Sequence, residues 1–154
     1  MHLTDFLDFG AIKASLSGGN KRSLLQQLAQ VAAQRIGTEP AAILASLNER
    51  EQLGSTGFGQ GVAIPHGKIE GLNRIYGLFA RLSEPIDYKA IDGRPVDLVF
   101  LLLSPPDAGA EHLKALAAIS RITRSVPTLE KMRGARSRDA LTAVLLGADE
   151  RDAA

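Results

Sequence analysis

The chain of 154 residues contains no cysteine. Disulfide bonds, catalysis by a thiolate and metal sites built on cysteine are therefore excluded. Its three histidines are His2, His66 and His112, and none of them belongs to an H-x-x-x-H or H-E-x-x-H pattern. We expect neither a bound metal nor any other cofactor.

An excess of one charge and long apolar runs are also lacking. The formal net charge of +1 gives no electrostatic reason to expect a nucleic acid or an anionic membrane as a partner. The longest apolar stretch, residues 96–103, is interrupted by Asp97 and is far shorter than the roughly 20 residues of a membrane-spanning helix. The acidic N-terminus does not resemble a signal peptide. We expect a cytoplasmic protein without membrane insertion.

Composition indicates an ordinary globular domain, with 45% hydrophobic and 23% charged residues. We find no repeat, linker or low-complexity segment that would divide the chain. We therefore expect a single domain over residues 1–154, with its core at about 5–146. The charged tail ADERDAA, residues 148–154, is expected to be frayed.

Apolar periodicity predicts two helices in the first third of the chain. One runs from about 21 to 36, with Asn20 as its N-cap and Gly37 as its C-terminal stop. The second runs from about 39 to 53 and is predicted to be capped by Thr38.

The rest of the chain alternates between strand and helix patterns. Residues 75–82 are predicted to form a strand, and the nearly continuous apolar run 96–103 is typical of a strand covered on both faces. Helices are predicted at about 110–124 and 137–146, with Pro127 ending or redirecting the former. This alternation favours an α/β layered domain.

A glycine-rich stretch, REQLGSTGFGQGVAIPHGK, covers residues 50–68. Five residues rather than four separate Gly61 from Gly67, and Lys68 is not followed by Ser or Thr, so the phosphate-loop pattern fails. The earlier glycines form G-x-G-x-G instead of G-x-G-x-x-G, and no strand signal precedes them. We therefore expect no nucleotide site.

The end of this stretch places a histidine after a short apolar run. Residues 62–65 are predicted to form a buried strand that Pro65 ends, which would leave His66 at the lip of a sheet. A neutral imidazole is a competent nucleophile near pH 7, and Gly67 allows backbone N–H groups to approach an anion closely. Equally, His66 could end the strand and hydrogen-bond a loop. Local chemistry leaves both interpretations open.

Two other polar residues lie where an anion site could form. Arg50 follows Ile43, Leu44 and Leu47 on the inward stripe of the second helix. The helix macrodipole alone would also favour an arginine in that last turn. His112 lies in the first turn of a later helix, whose free N–H groups can bind an anion. A surface histidine without a role is the alternative there.

Three segments together resemble a known family. The stretch REQLGSTGFGQGVAIPHGK resembles the active-site segment of the phosphotransferase-system enzyme IIA family of the fructose and mannitol type. The later segments AIDGRPVDLVFLLL and EHLKALAAISR are similar to that family's next two landmarks, in the expected order. The resemblance covers about residues 5–145 and is greatest to the nitrogen-regulatory type. It implies a mixed sheet of about five strands with helices on both faces.

The resemblance also implies a set of functional residues. His66 would be the residue that accepts a phosphoryl group from the phosphohistidine of a small HPr-like carrier protein. Arg50 would supply fixed positive charge and His112 a hydrogen bond to the phosphoryl group. We expect Gly67 and Ser55 to contribute further phosphoryl-binding groups. Such a protein is a phosphotransferase with a mainly regulatory role.

Partners follow from the same resemblance. A nitrogen-regulatory protein would bind target proteins such as sensor kinases, ion-transport regulators or stringent-response enzymes. We expect Phe58 to be an exposed docking anchor, although it could equally pack into the core. The alternatives are a sugar-specific enzyme IIA that serves a IIB domain and a binding module without phosphoryl transfer. A hydrolase built on His66 ranks last, because nothing in the sequence brings Ser55 and Asp92 to it.

Overall fold

The structure, a computed structural model, describes residues 1–153. Over those residues it contains one sheet of six strands and five α-helices. The strands are β1 (Lys13–Leu16), β2 (Gly57–Gly59), β3 (Val62–Ala63), β4 (His66–Lys68), β5 (Tyr76–Ile86) and β6 (Val96–Ser104). The helices are α1 (Lys21–Ile36), α2 (Pro40–Gln52), α3 (Gly109–Thr123), α4 (Val126–Gly134) and α5 (Arg138–Ala153).

The sheet is organised around β6. Strand β5 pairs with it antiparallel, while β3 and β4 both pair with it parallel, so that Val62 lies opposite Leu98 and His66 opposite Leu102. The outer strands are β1, parallel to β5, and β2, antiparallel to β3. The sheet is mixed, as expected, with six strands instead of about five.

Side chains of β6 alternate between the two cores of the domain. Positions 98, 100 and 102 pack in a cluster with α3, α4 and α5, whereas positions 99, 101 and 103 pack in a second cluster with α1 and α2. All six side chains are fully buried. The apolar run therefore reflects a strand covered on both faces, which confirms an α/β domain with helices on both sides of its sheet.

The predicted ends of α1 are confirmed. The Asn20 side chain accepts a hydrogen bond from a backbone N–H in the first turn, and Gly37 closes the helix in the left-handed conformation at φ 73°. The cap predicted for α2 is wrong, since Glu39 rather than Thr38 precedes the helix and makes no side-chain cap bond. Pro40 opens α2, where a missing N–H costs nothing.

Pro65 does not end the sheet. Strand β3 ends at Ala63, and the chain returns to β6 as strand β4, which begins at His66. Proline offers no N–H to the ladder, but the Pro65 carbonyl accepts a hydrogen bond of 3.0 Å from the Leu102 N–H. His66 therefore begins a strand rather than lying at the lip beyond one.

Two expectations about the last third of the chain are wrong. Pro127 lies in the first turn of α4, a helix that was not predicted, and α3 has already ended before it. The last helix does not end at about residue 146, because α5 extends to Ala153. Fraying of the tail stays a prediction. Within it, the buried Asp149 carboxylate accepts a hydrogen bond of 2.8 Å from the Leu3 N–H. Ala154 lies outside the described residues.

Candidate active site

Close packing of α2 against β4 brings the candidate residues together. Arg50 projects from the last turn of α2, and Gly67 lies at the centre of β4. A Cβ on Gly67 would clash with the Ser46 side chain of α2. The Ser46 hydroxyl donates a hydrogen bond of 2.9 Å to the Lys68 carbonyl. Glycine therefore lets the helix approach the strand that carries His66.

Hydrogen bonds define the tautomer of His66. Its Nδ1 lies 2.7 Å from the Ile64 carbonyl oxygen, which can only accept, so Nδ1 carries the proton. The lone pair is then on Nε2, which accepts a hydrogen bond of 3.1 Å from Nε of Arg50. Burial lowers the pKa of His66 below its usual 6.5, opposed by the bond to Ile64 and assisted by the Arg50 charge. The ring is neutral near pH 7.

A network of polar contacts around Glu51 holds the end of α2 in place. The Glu51 carboxylate accepts hydrogen bonds from the backbone N–H and the hydroxyl of Thr56, and it pairs with Lys21 at 2.9 Å. The Thr56 hydroxyl lies 3.0 Å from the hydroxyl of Tyr88, whose ring also faces the Lys21 ammonium group. These contacts join α1, α2 and the glycine-rich loop, and so hold the residue next to Arg50 in place.

His112 approaches His66 from the other core. It lies in the first turn of α3, and its ring centroid is 5.2 Å from that of His66 at an interplanar angle of 54°. Its Nδ1 lies 2.5 Å from Oγ of Ser104. Burial, together with the neighbouring His66 and the charge of Lys68, lowers the pKa of His112 to about 4. This ring is also neutral near pH 7.

The two histidines open into one surface cavity of about 480 Å³. Its lining comes from α2, β4 and α3. The lining residues are Ser46, Glu49, Arg50, Leu53, His66, Gly67, Lys68 and His112. An anion in this cavity would meet a guanidinium group, an ammonium group and imidazole nitrogens, whereas the carboxylate of Glu49 would face it with like charge.

Residues 5–147 match the model of a family described as "Phosphoenolpyruvate-dependent sugar phosphotransferase system, EIIA 2". The chain belongs to this family.

Similar proteins agree with this EIIA assignment. A nitrogen regulatory protein of Bradyrhizobium diazoefficiens is 49% identical over 145 residues, which cover 94% of this chain and 95% of the relative. A fructose-specific EIIA component of Haloferax volcanii is 38% identical over 104 residues, or 68% of each chain. The crystal structure of nitrogen regulatory protein IIA-Ntr from Neisseria meningitidis superposes with a TM-score of 0.87 at 34% identity, covering 93% of this chain and 98% of that one.

The EIIA structure brings four of the six expected site residues to the cavity: His66, Arg50, His112 and Gly67. Ser55 is not part of the lining. Its hydroxyl group lies 3.4 Å from the Tyr88 carbonyl oxygen and accepts a hydrogen bond of 3.0 Å from the Gly57 N–H. Phe58, which is 49% exposed, lines a separate groove between β2 and the end of α3.

Sequence reasoning missed several residues around the EIIA cavity. Lys68 has a usable signal, because it lies two positions after His66 and so on the same side of a strand. Leu53 lines the cavity and is 82% exposed, and Leu113, which follows His112 in sequence on α3, is 67% exposed. Ser104 has no local signal, since nothing in its neighbourhood indicates contact with a histidine. Among residues 1–153, no helix is long and apolar enough to span a membrane.

Proposed function

We propose that Nε2 of His66 accepts a phosphoryl group from the phosphohistidine of a small HPr-like carrier protein. The chain would then act as a regulatory phosphotransferase of a nitrogen-related phosphotransferase system, and a cytoplasmic location is part of this proposal. One observation carries it: the lone pair of a neutral ring lies on Nε2, beside a guanidinium group, at the wall of an open cavity.

The step balances without a cofactor. As the bond from Nε2 to phosphorus forms, the bond from the carrier's imidazole nitrogen to phosphorus breaks, and that nitrogen keeps the electron pair. Positive charge develops on the ring of His66 while Nδ1 keeps its proton. The Ile64 carbonyl, 2.7 Å from Nδ1, accepts a stronger hydrogen bond as this charge grows. The backbone therefore stabilises the phosphorylated ring.

Arg50 must change partners during the reaction. Its Nε–H now donates to the Nε2 lone pair, and its Nη1 donates a hydrogen bond of 2.9 Å to the Gly54 carbonyl. For Nε2 to attack, the guanidinium group turns to the oxygens of the incoming phosphoryl group, whose charge it neutralises. Lys68 adds a second cation and His112 a hydrogen-bond donor. Since the Ser55 hydroxyl is bound elsewhere, we assign it no contact with phosphate.

The carrier docks over the cavity mouth in this proposal. Leu53, which follows α2 and lines the cavity, and Leu113, which follows His112 on α3, both expose large apolar side chains. Such residues are suited to a transient protein interface that surrounds a reacting group. Phe58 lies in a different groove, and so it would contact only a partner that extends to β2.

The regulatory role is supported by similarity to proteins named nitrogen regulatory protein. A phosphoryl group adds about −1.5 to −2 charges at neutral pH. In this cavity it would neutralise Arg50 and Lys68 and present oxygens where a cationic surface had been. Target proteins that bind over Leu53 and Leu113 would then distinguish the two states. Sensor kinases, ion-transport regulators and stringent-response enzymes remain the expected kinds of target.

Labelling by a phosphorylated carrier tests the proposal. Intact-mass measurement should show one added phosphoryl group on the unmodified chain and none on His66→Ala. His112→Ala should be labelled more slowly. The control is His2→Ala, which changes a histidine outside the cavity and should be labelled at the normal rate. Labelling that persists in His66→Ala would show that another residue is the acceptor.

Similarity to a fructose-specific EIIA component supports a second candidate function, transfer onward to a sugar-specific IIB domain. The test would mix the phosphorylated chain with a IIB domain, with membranes that carry the sugar permease, and with fructose or mannitol. Formation of sugar phosphate at a rate comparable with a dedicated EIIA would favour that role over regulation. A binding module without phosphoryl transfer would instead bind its targets equally well before and after exposure to the phosphorylated carrier.

A further inference from the structure

Ser104 is a buried polar residue that the proposed reaction has not yet used. It ends β6, where it lies opposite Lys68 of β4, and its carbonyl accepts a hydrogen bond of 2.9 Å from the Ile69 N–H. Its side chain is fully buried, and Oγ lies 2.5 Å from Nδ1 of His112. Among residues 1–153, Nδ1 of His112 is the one hydrogen-bond partner of this hydroxyl group.

The position of the hydroxyl proton decides the tautomer of His112. If Nδ1 carried a proton, it would donate to Oγ, and the proton of the buried hydroxyl would have no acceptor. An unsatisfied buried donor costs about 1–3 kcal/mol. If Nδ1 instead carries the lone pair, the hydroxyl donates to it and the buried hydroxyl proton has its acceptor. The second arrangement places the ring proton on Nε2, the nitrogen on the side of the ring away from Ser104.

We propose that Ser104 is a positioning residue that fixes His112 as its Nε2–H tautomer and holds that N–H toward the cavity as a donor to the phosphoryl group. The contact with phosphate rests on the function proposed for His66. The two histidines then have opposite tautomers: Nε2 of His66 offers a lone pair, and Nε2 of His112 offers a proton. Because burial keeps the pKa of His112 at about 4, the donor is a neutral ring at physiological pH.

Ser104→Thr and Ser104→Val form a matched pair for the first test. Threonine and valine have nearly the same shape and both suit a strand, but only threonine keeps the hydroxyl group. Nitrogen-15 NMR of the histidine side chains at pH 7 should show a single Nε2–H tautomer for His112 in the unmodified chain and in Ser104→Thr. Ser104→Val should show a mixture of tautomers. Observation of Nδ1–H on His112 in the unmodified chain would overturn the proposal.

Transfer rates provide the second test. Loss of one neutral hydrogen bond that positions a donor should slow labelling of His66 roughly fivefold to tenfold in Ser104→Val and in the smaller variant Ser104→Ala. Ser104→Thr should retain a rate within about twofold of normal. Ser120→Ala, which changes an exposed serine on α3, serves as the control.

The outcomes separate this proposal from the one on which it rests. Equal rates in the threonine and valine variants would overturn a positioning role for the hydroxyl. If the unmodified chain is never labelled, the function proposed for His66 fails, whereas the NMR comparison still determines whether Ser104 fixes the ring of His112. A single Nε2–H tautomer that persists in Ser104→Val would show that Ser104 does not determine it.

Discussion

The surroundings of His66 and His112 differ in what holds each ring. Nδ1 of His66 donates to the main-chain carbonyl of Ile64, two residues earlier, whereas Nδ1 of His112 meets the side chain of Ser104 on another element. Every residue has a carbonyl, so the tautomer of His66 does not depend on which side chain stands at position 64. The tautomer of His112 does depend on residue 104. In one cavity, the main chain fixes the ring of His66, the proposed nucleophile, whereas a replaceable side chain fixes the ring of His112.

Apart from loss of His66 itself, the largest effect should come from replacement of the guanidinium group that contacts Nε2 of His66. Arg50→Ala should slow phosphoryl transfer about 100-fold, because removal of one preorganised charged donor costs that much in comparable sites. Lys68→Ala removes a cation from the same cavity and should cost less, since within residues 1–153 no hydrogen bond joins Lys68 to the His66 ring. The time course of mass labelling measures both. Equal losses in the two variants would mean that cavity charge, and not contact with Nε2, governs the rate.

A backbone-held ring should be displaced only by a change that moves its strand. In Gly67→Ala, the added Cβ clashes with Ser46 and separates β4 from α2. We expect unfolding free energy to fall by about 1–3 kcal/mol, together with slower labelling.

Denaturant unfolding and the mass assay would measure these two effects of Gly67→Ala. Gly134→Ala is the control, because nothing lies within 4 Å of a Cβ placed there. Normal stability in Gly67→Ala would show that β4 and α2 can separate without cost.

The two sides should contribute similarly to carrier docking. Leu53→Ala, beside Arg50, and Leu113→Ala, beside His112, should each raise the KM for the carrier about threefold to fivefold with kcat nearly unchanged, because each truncates an exposed apolar contact. Phe58→Ala should leave both constants unchanged. Steady-state labelling at varied carrier concentration gives these values. A larger effect of Phe58 would place the carrier on β2 instead.

The smallest effect should be a change in pKa that differs between the rings of His66 and His112. The cation of Lys68 lowers the pKa of His112, so Lys68→Ala should raise it from about 4 toward 6.5, by a fraction of a unit. The pKa of His66 should hardly change, because burial, Ile64 and Arg50 dominate it.

An NMR pH titration of both imidazoles measures these shifts. In the unmodified chain, both rings should gain a proton at a lower pH than a free imidazole does, and labelling should decline as His66 becomes protonated. Equal shifts of the two rings in Lys68→Ala would contradict their electrostatic separation.

Local patterns predicted the parts of the fold that local forces determine. The caps of α1 and the doubly covered strand β6 were visible because they depend on adjacent residues and on an apolar run. The continuation of the sheet past Pro65 was not, because it depends on a carbonyl bond to Leu102, far along the chain. The helix that begins near Pro127 was missed because proline was taken to interrupt a helix rather than to open one.

The candidate site divides in the same way. The stripe of α2 and the glycines around His66 indicated where Arg50 and His66 lie, but only the resemblance to the EIIA family selected them as site residues. The salt bridge between Lys21 of α1 and Glu51 of α2 could not be predicted, because neither residue belongs to a motif or a periodic pattern. The same holds for Ser104, whose contact with His112 requires the turn between β6 and α3 to be known. Tertiary contacts between polar side chains leave no periodic signal.

The pairing of β4 has a consequence for the order in which the protein matures. His66 finds its strand partner only at Leu102, and α3 with His112 follows later still. Parallel pairing between distant segments must wait until the intervening loop closes. A nascent polypeptide on the ribosome therefore contains His66 long before the cavity around it is complete. The phosphoryl transfer proposed for His66 therefore has to wait until α3 has been synthesised and has packed against the sheet.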